Sequence, residues 1–388
     1  MNNSKPKKIR DPIIKGKRFF FGEIKINALI FLFVVLFLST PFQLSAKVTG
    51  TCANCHTMHN SQGGVNVGAG PNDNLMTTLN GATDACVGCH SASSGATWKD
   101  PVTNAPIVWN TSEPTFNTQK GLAGGNFYWV GAGDNSKGHN VYGIAGADSL
   151  TTAPGKTPAG CTNSCHTTLA AAPSSQNSNR GGCRGCHVFT FHHEDNGVYR
   201  FLKGHGEGAS LPIDPASKNI TSFPDYVTGV EDNDWEQETA IDHNSYKGTT
   251  TIYDTDGSAL TTYKTMTAFC SGCHGIFHGN YNDITGRGMG SSTPWRRHPT
   301  DIALPTTTEY NGYNPETAYN AEAPVAWTNP SVPARAGAVV MCLSCHRPHG
   351  SAQPDMLRWA YSDMDVGTTD PNKAGHGCFV CHTQKDGL

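Results

Sequence analysis

Aliphatic side chains and charge are both scarce in this sequence. Hydrophobic residues make up 37% of its 388 positions and charged residues 15%. A chain of this length suggests two or three ordinary domains, but so few apolar residues cannot build the cores that such domains need. Formal net charge is only −3 and no basic stripe occurs beyond the N-terminus, which argues against a nucleic-acid partner. Charge is equally too low, and the 14 Cys too many, for a disordered chain. No long amphipathic helical pattern appears after the first 46 residues, and 43 Gly and 23 Pro interrupt the chain throughout. Something other than aliphatic side chains must fill the interior.

The N-terminal segment is different in kind. Lys5, Lys7, Lys8, Arg10, Lys15, Lys17, Arg18 and Lys25 precede an almost unbroken apolar run from Ala28 to Leu38, then Pro41 and Leu44-Ser45-Ala46. That is the layout of a secretory signal cleaved after Ala46. The apolar run falls short of the roughly 20 residues that a membrane span needs, so no span is expected in the mature chain. No Cys sits at the cleavage point, so a lipid anchor is not indicated. Residues 1–46 are therefore expected to be a cleaved signal peptide, and residues 47–388 a single, exported, mildly acidic unit.

No Cys stands alone. All 14 fall into seven pairs, and each pair is followed at once by His. Six are C-x-x-C-H: Cys52, Cys55 and His56; Cys86, Cys89 and His90; Cys183, Cys186 and His187; Cys270, Cys273 and His274; Cys342, Cys345 and His346; Cys378, Cys381 and His382. The seventh, Cys161-Thr-Asn-Ser-Cys165-His166, has one extra residue between its cysteines. C-x-x-C-H is the attachment signature of c-type haem. On a short helical turn, positions i, i+3 and i+4 share a face. Two thiols then reach the two vinyl groups while the His meets the iron from the same side. A disulfide framework gives no reason for His after every second Cys, and a zinc site would pair two C-x-x-C units without the His. Seven covalently bound haem c groups are expected, and they supply the apolar interior that the side chains do not.

Of 17 His, ten lie outside the motifs: His59, His139, His192, His193, His205, His243, His278, His298, His349 and His376. Ten candidates for seven sixth positions are enough to give every iron a second imidazole. His59, His278 and His349 follow a motif closely, as do His192 and His193. A His three or four residues past a proximal His cannot bend back to the same iron, and so is placed to ligate a neighbouring haem. His59, His139, His193, His243, His278, His298 and His349 are the favoured ligands, and His192, His205 and His376 the favoured surplus. Methionine is the rival ligand and would raise the potential, but the eight Met follow no pattern. Low-spin, low-potential, bis-His haems are expected.

Along the rest of the chain, short helical turns are expected at each motif, with brief strands at 126–130 and 249–253. The long gaps 188–269 and 275–341 are expected to wrap the haems and deliver distal His from afar. The fold class is mostly irregular coil with short helices and few short strands.

The stretch Cys52-Ala-Asn-Cys55-His56-Thr-Met-His59-Asn-Ser-Gln-Gly-Gly resembles the mature start of the filament-forming extracellular multihaem cytochromes of metal-reducing bacteria, the outer-membrane cytochrome S and E type. Matching stretches recur at 126–130, 137–140, 151–155, 199–201, 297–299, 342–350 and 355–358. The resemblance implies a mostly coiled protomer around a continuous chain of stacked and T-shaped haem pairs, with bis-His iron. It also implies a homopolymer with head-to-tail contacts, in which His59 ligates a haem iron of the adjacent subunit.

The function expected is electron transfer along the haem chain, outside the cell or at its surface, as the subunit of a filament that meets other redox proteins or extracellular acceptors. A soluble periplasmic or cell-surface electron shuttle, or a docking subunit of an outer-membrane conduit, is the alternative. A multihaem nitrogen- or sulfur-oxide reductase would need an open iron position, often marked by a motif that does not end in His. All seven motifs here end in His, so no enzymatic activity is expected.

Overall fold

The computed structural model describes residues 61–62, 65–66, 86–115, 121–150, 153–154, 169–172, 181–187, 198–204, 225–232, 242–251, 258–274 and 298–385. They belong to one unit, Ala46–Leu388. Among them every regular element is short. The strands are β1 (Ser61–Gln62), β2 (Val65–Asn66), β3 (Ser91–Ala92), β4 (Trp109–Asn110), β5 (Gly229–Val230), β6 (Ser245–Lys247), β7 (Ile302–Ala303), β8 (Ala326–Trp327) and β9 (Ala338–Val340). The α-helices are α1 (Cys86–Cys89), α2 (Tyr128–Gly131), α3 (Ser258–Tyr263) and α4 (Met266–His274). Single 3₁₀ turns punctuate the coil between them. No helix among the described residues is long and apolar enough to cross a membrane. The expectation of a mostly irregular chain with short helices and few short strands holds.

One small sheet organises the C-terminal two-fifths of the chain. Its order is β5-β6-β8-β9-β7, with β6 and β8 parallel and the other neighbours antiparallel. Successive side chains of a strand point to opposite faces, and here the two faces carry two cores. Ala326 and Val339 belong with Tyr199, Val227, Tyr246, Leu260 and Met266 on one face. Val325, Trp327, Ala338 and Val340 belong with Leu304, Tyr313, Tyr319 and Trp359 on the other. In register, Ala326 opposes Val339 and Trp327 opposes Ala338, so each large side chain meets a small one. Cys186 and Cys270 border the first core, and Cys345, Cys378 and Cys381 the second. A third cluster, Phe127, Val130 and Val141, is bordered by Cys183.

Polar groups fix these short elements where apolar area is insufficient. Thr265 caps α4: its Oγ1 accepts the Ala268 N–H at 3.0 Å and donates to Asp301 Oδ2 at 2.7 Å. Arg358, 5% exposed, donates to three backbone carbonyls from remote segments: Leu343 (2.6 Å), Ala321 (3.0 Å) and Ala123 (3.1 Å). Asn110 and Asn126, both fully buried, bond each other and the backbone around them.

Both strands expected from sequence are corrected. Over 126–130 the chain turns into α2, because the Asn126 Oδ1 accepts the Tyr128 N–H at 3.0 Å and starts a helical turn. At 249–251 no strand forms, and the rest of the expected span lies outside the described residues. The strand ends earlier, at Lys247. Beyond Gly248, the Thr249 hydroxyl accepts the Thr251 N–H at 3.1 Å, which bends the chain away from the sheet.

Candidate functional site

Five of the seven motifs fall among the described residues, and each sits on a single turn of helix. Cys86–Cys89 is α1; Cys270, Cys273 and His274 end α4; 3₁₀ turns Gly182–Gly185, Cys342–Ser344 and Gly377–Val380 carry the other three. After each of the five, the His N–H bonds back to the first Cys carbonyl or stays within the helix, so both Cys and the His share one face. Cys52, Cys55, His56, Cys161, Cys165 and His166 lie outside the described residues, as do His59, His192, His193, His205 and His278. None of the ten described Cys is in a disulfide.

The motif imidazoles are oriented from behind. Their Nδ1 atoms meet acceptors: Pro106 O for His90 (2.8 Å), Arg200 O for His187 (2.8 Å), Pro154 O for His274 (3.0 Å), Asp355 O for His346 (2.8 Å) and Glu309 Oε1 for His382 (2.6 Å). Candidate distal imidazoles are held alike, His139 on Pro348 O (2.7 Å), His243 on Asn244 O (2.9 Å) and His298 on Pro299 O (2.9 Å). An Nδ1 facing an acceptor carries the proton, which leaves the Nε2 lone pair for a metal. His349 is fixed differently. Its backbone N–H bonds Gly124 O at 2.6 Å, and the Phe127 ring stacks on the imidazole at 4.7 Å.

The imidazoles then come together in pairs, edge-on or tilted to one another. Ring centroids are 5.8 Å apart for His139 and His274, 6.1 Å for His187 and His349, and 6.2 Å for His298 and His382. Two imidazoles on opposite sides of one first-row metal, each at a bond of about 2 Å, place their centroids about 6 Å apart. Each pair joins a motif His to a His from a distant part of the chain, and His349 pairs with the His of a motif other than the one it follows. His243, another expected ligand, stacks on Tyr319 at 3.6 Å; His376, expected to be surplus, bonds Glu322 Oε2 at 3.1 Å on the surface.

Electrostatics suit neutral ligands. Burial lowers His90, His187, His298 and His346 below the ordinary imidazole range, and lowers His349 to about 3 with help from His187 and His139 beside it. Burial also pushes the Cys345 and Cys381 thiols up to about 12. That is the wrong direction for thiolate metal ligands, and no obstacle for thioethers, which have no proton to lose. Among the described residues, no three of His, Cys, Asp or Glu gather into a protein-only metal cage. Imidazoles arriving two by two would suit haem, whose ring brings the remaining donors to its iron. The buried Trp327 indole N–H, 1% exposed and without an acceptor among the described residues, is also suited to a group that brings its own acceptors. The residues fit c-type haem.

The structure adds a repeat. Arg200 and Asp355, whose carbonyls hold His187 and His346, both have left-handed backbone (φ 46° and 58°) inside 3₁₀ turns, Tyr199–Phe201 and Pro354–Met356. Three residues later, Lys203 and Arg358 return their N–H to Cys186 O and Cys345 O, and both side chains are 5% exposed. Tyr199-Arg-Phe-Leu-Lys203 and Pro354-Asp-Met-Leu-Arg358 are thus one device used twice. Its signal was in the sequence, a Leu followed by a basic residue after the motif, but the two copies stand at different distances from their motifs.

Residues 332–387 match the doubled CXXCH motif family. No curated protein matches the chain. Among solved structures, the chain is similar to an outer membrane cytochrome S filament from Geobacter sulfurreducens, with 19% identity over 83% of this chain and 86% of that one, at a TM-score of 0.45. It is also similar to OmcS nanowires from Geobacter sulfurreducens, with 20% identity over 88% and 94% of the two chains, at a TM-score of 0.42.

Proposed function

We propose that this chain is an exported heptahaem c-type cytochrome, cleaved after Ala46, that carries electrons along haems held between paired imidazoles. The observation that carries the reading is the set of three imidazole pairs, His187 with His349, His274 with His139 and His382 with His298, each at the span that one iron requires. Haem, when bound, supplies the one-electron carrier. The protein's work is attachment through the Cys pairs, orientation of each imidazole through its Nδ1 acceptor, and exclusion of water by the two cores. His90, His346, His56 and His166 complete the proximal set, with His59, His193, His243 and His278 as their partners. With a second imidazole for every iron, no position is open to substrate, so the chain is an electron carrier and not a reductase. The test is spectroscopic. The oxidised protein should show only low-spin iron, and the reduced protein should bind carbon monoxide poorly. A high-spin signal from about one haem in seven in the untouched protein would support the reductase instead.

The chain also polymerises, in this proposal, into an extracellular filament that passes electrons to external acceptors or partner redox proteins. Support comes from the resemblance of residues 52–64 to the start of filament-forming cytochromes. It assigns His59 to an iron of the adjacent subunit, a head-to-tail bond of the kind that builds an open fibre. His59→Ala should abolish fibres in negative-stain images and leave one five-coordinate iron per chain. Intact fibres with every haem low-spin would exclude that role, and monomers from the unaltered chain would favour the shuttle.

A further inference from the structure

One motif His differs from the other four described. His90, His187, His274 and His346 turn Nδ1 to backbone carbonyls, but His382 turns it to a carboxylate, Glu309 Oε1, at 2.6 Å. The carboxylate is fixed on both oxygens, because Lys385 Nζ lies 3.0 Å from Oε2. Its backbone is fixed too: Thr383, next to His382, donates its hydroxyl to Glu309 O at 2.8 Å. Glu309 sits in the 3₁₀ turn Thr308–Tyr310, whose Tyr310 ring stands 4.9 Å from the His382 ring. Across the site, the His298 ring lies 6.2 Å from the His382 ring, and its Nδ1 meets a backbone carbonyl, Pro299 O. The neighbouring site is close at hand. Cys345, which precedes His346, borders the same core as Cys378 and Cys381.

A carbonyl offers an imidazole N–H a partial negative charge, and a carboxylate offers a full one. A carboxylate partner makes the imidazole more basic and a stronger donor to ferric iron. Hydrogen bonding behind the axial ligand is one of the levers that set a haem's potential. Resting on the c-type haem reading above, we propose that Glu309 is a positioning residue that sets the iron at His382 to a lower reduction potential than the iron at the adjacent His346. Lys385 opposes it, by drawing part of the carboxylate's charge away from the imidazole. The paired sites at the C-terminus would therefore be unequal, with the iron at His346 the stronger electron acceptor of the two.

The signs give the test. In redox titrations of the haem-loaded full-length protein, Glu309→Gln keeps an acceptor oxygen and removes the charge. One one-electron transition should move upward by about 59 mV, a tenfold lower ferric-to-ferrous ratio at a given applied potential. Lys385→Gln changes a half-exposed side chain and should move the same transition downward by a smaller factor. Glu309→Asp should restore part of the shift. A purely structural role predicts shifts of one sign in both variants, or none. Covalent haem content is measured on the same samples. Full haem content with no transition displaced, or with both variants moving it the same way, overturns the proposal alone. A chain without haem at Cys378 and Cys381 overturns both it and the reading beneath it.

Discussion

Gly350→Ala tests the placement of His349 without touching an imidazole. Gly350 follows His349 directly and has φ +137°, and a Cβ there would stand 2.6 Å from both Asn126 O and Lys137 O. Ordinary contact begins near 3.4 Å, so each neighbour must retreat by about 0.8 Å, and both are backbone. Two hydrogen bonds run through the same spot, Asn126 N–H to Gly350 O and Ser351 N–H to Lys137 O, each 3.0 Å. An L-residue in this part of φ space costs about 1–3 kcal/mol, and two weakened hydrogen bonds about 1 kcal/mol each. The local cost is then about 3–5 kcal/mol, while a tenfold change in an equilibrium takes about 1.4 kcal/mol. The segment carrying His349 should leave its place, and the iron at His187 should lose its second imidazole. Electron paramagnetic resonance of the oxidised variant should show one high-spin iron per chain, and one haem should bind carbon monoxide. Gly133→Ala is the control. Its φ is +104°, yet a Cβ there meets nothing within 4 Å, so it should cost backbone strain alone and leave the spectrum unchanged. A Gly350→Ala protein with every iron low-spin and unaltered thermal stability would refute the reasoning.

Three further outcomes follow from the packing. Thr265→Ala removes the α4 cap and the hydroxyl that bonds the buried Asp301. It should cost about 1 kcal/mol for the cap and about 1.5–3 kcal/mol for the lost hydrogen bond to the charged carboxylate, read as a lower denaturation midpoint. Arg358→Met strands three buried carbonyls and should cost at least about 3 kcal/mol. Arg358→Lys should rescue little in the same denaturation assay, because one ammonium does not span three diverging acceptors. For His349, the folded-state value of about 3 lies below the ordinary 6.5, so the unfolded chain takes up a proton that the folded one refuses. Stability should therefore fall as pH drops from about 6.5 towards 3, with high-spin iron appearing over the same range. A spectrum that is flat across that window, or loss of stability on raising the pH instead, would contradict this.

The attachment chemistry was plain from the sequence because it is local. Two Cys and a His within five residues fix their own geometry on one helical turn, whatever surrounds them. The coil-rich fold was legible for a similar reason, since Gly and Pro at this density leave no room for long elements. The pairing of imidazoles was not legible. His139 and His274 stand 135 positions apart, and only the folded chain brings their rings to 5.8 Å. Residues 126–130 looked like a strand because Phe, Tyr, Trp and Val favour strands, yet the Asn126 side chain turned them into helix. The acceptors behind the imidazoles were hidden more deeply. Most are backbone carbonyls, which carry no residue signature, and Glu309 is an ordinary acidic residue until the fold sets it beside His382.

The central claim is that the paired cysteines hold haem and that the chain is built around it. The intact mass of the protein purified from an oxidising, haem-competent compartment tests this most directly. The account predicts the mass of residues 47–388 plus seven haems, with no free thiol. A mass equal to the bare polypeptide, with its 14 Cys open to thiol reagents, would contradict it.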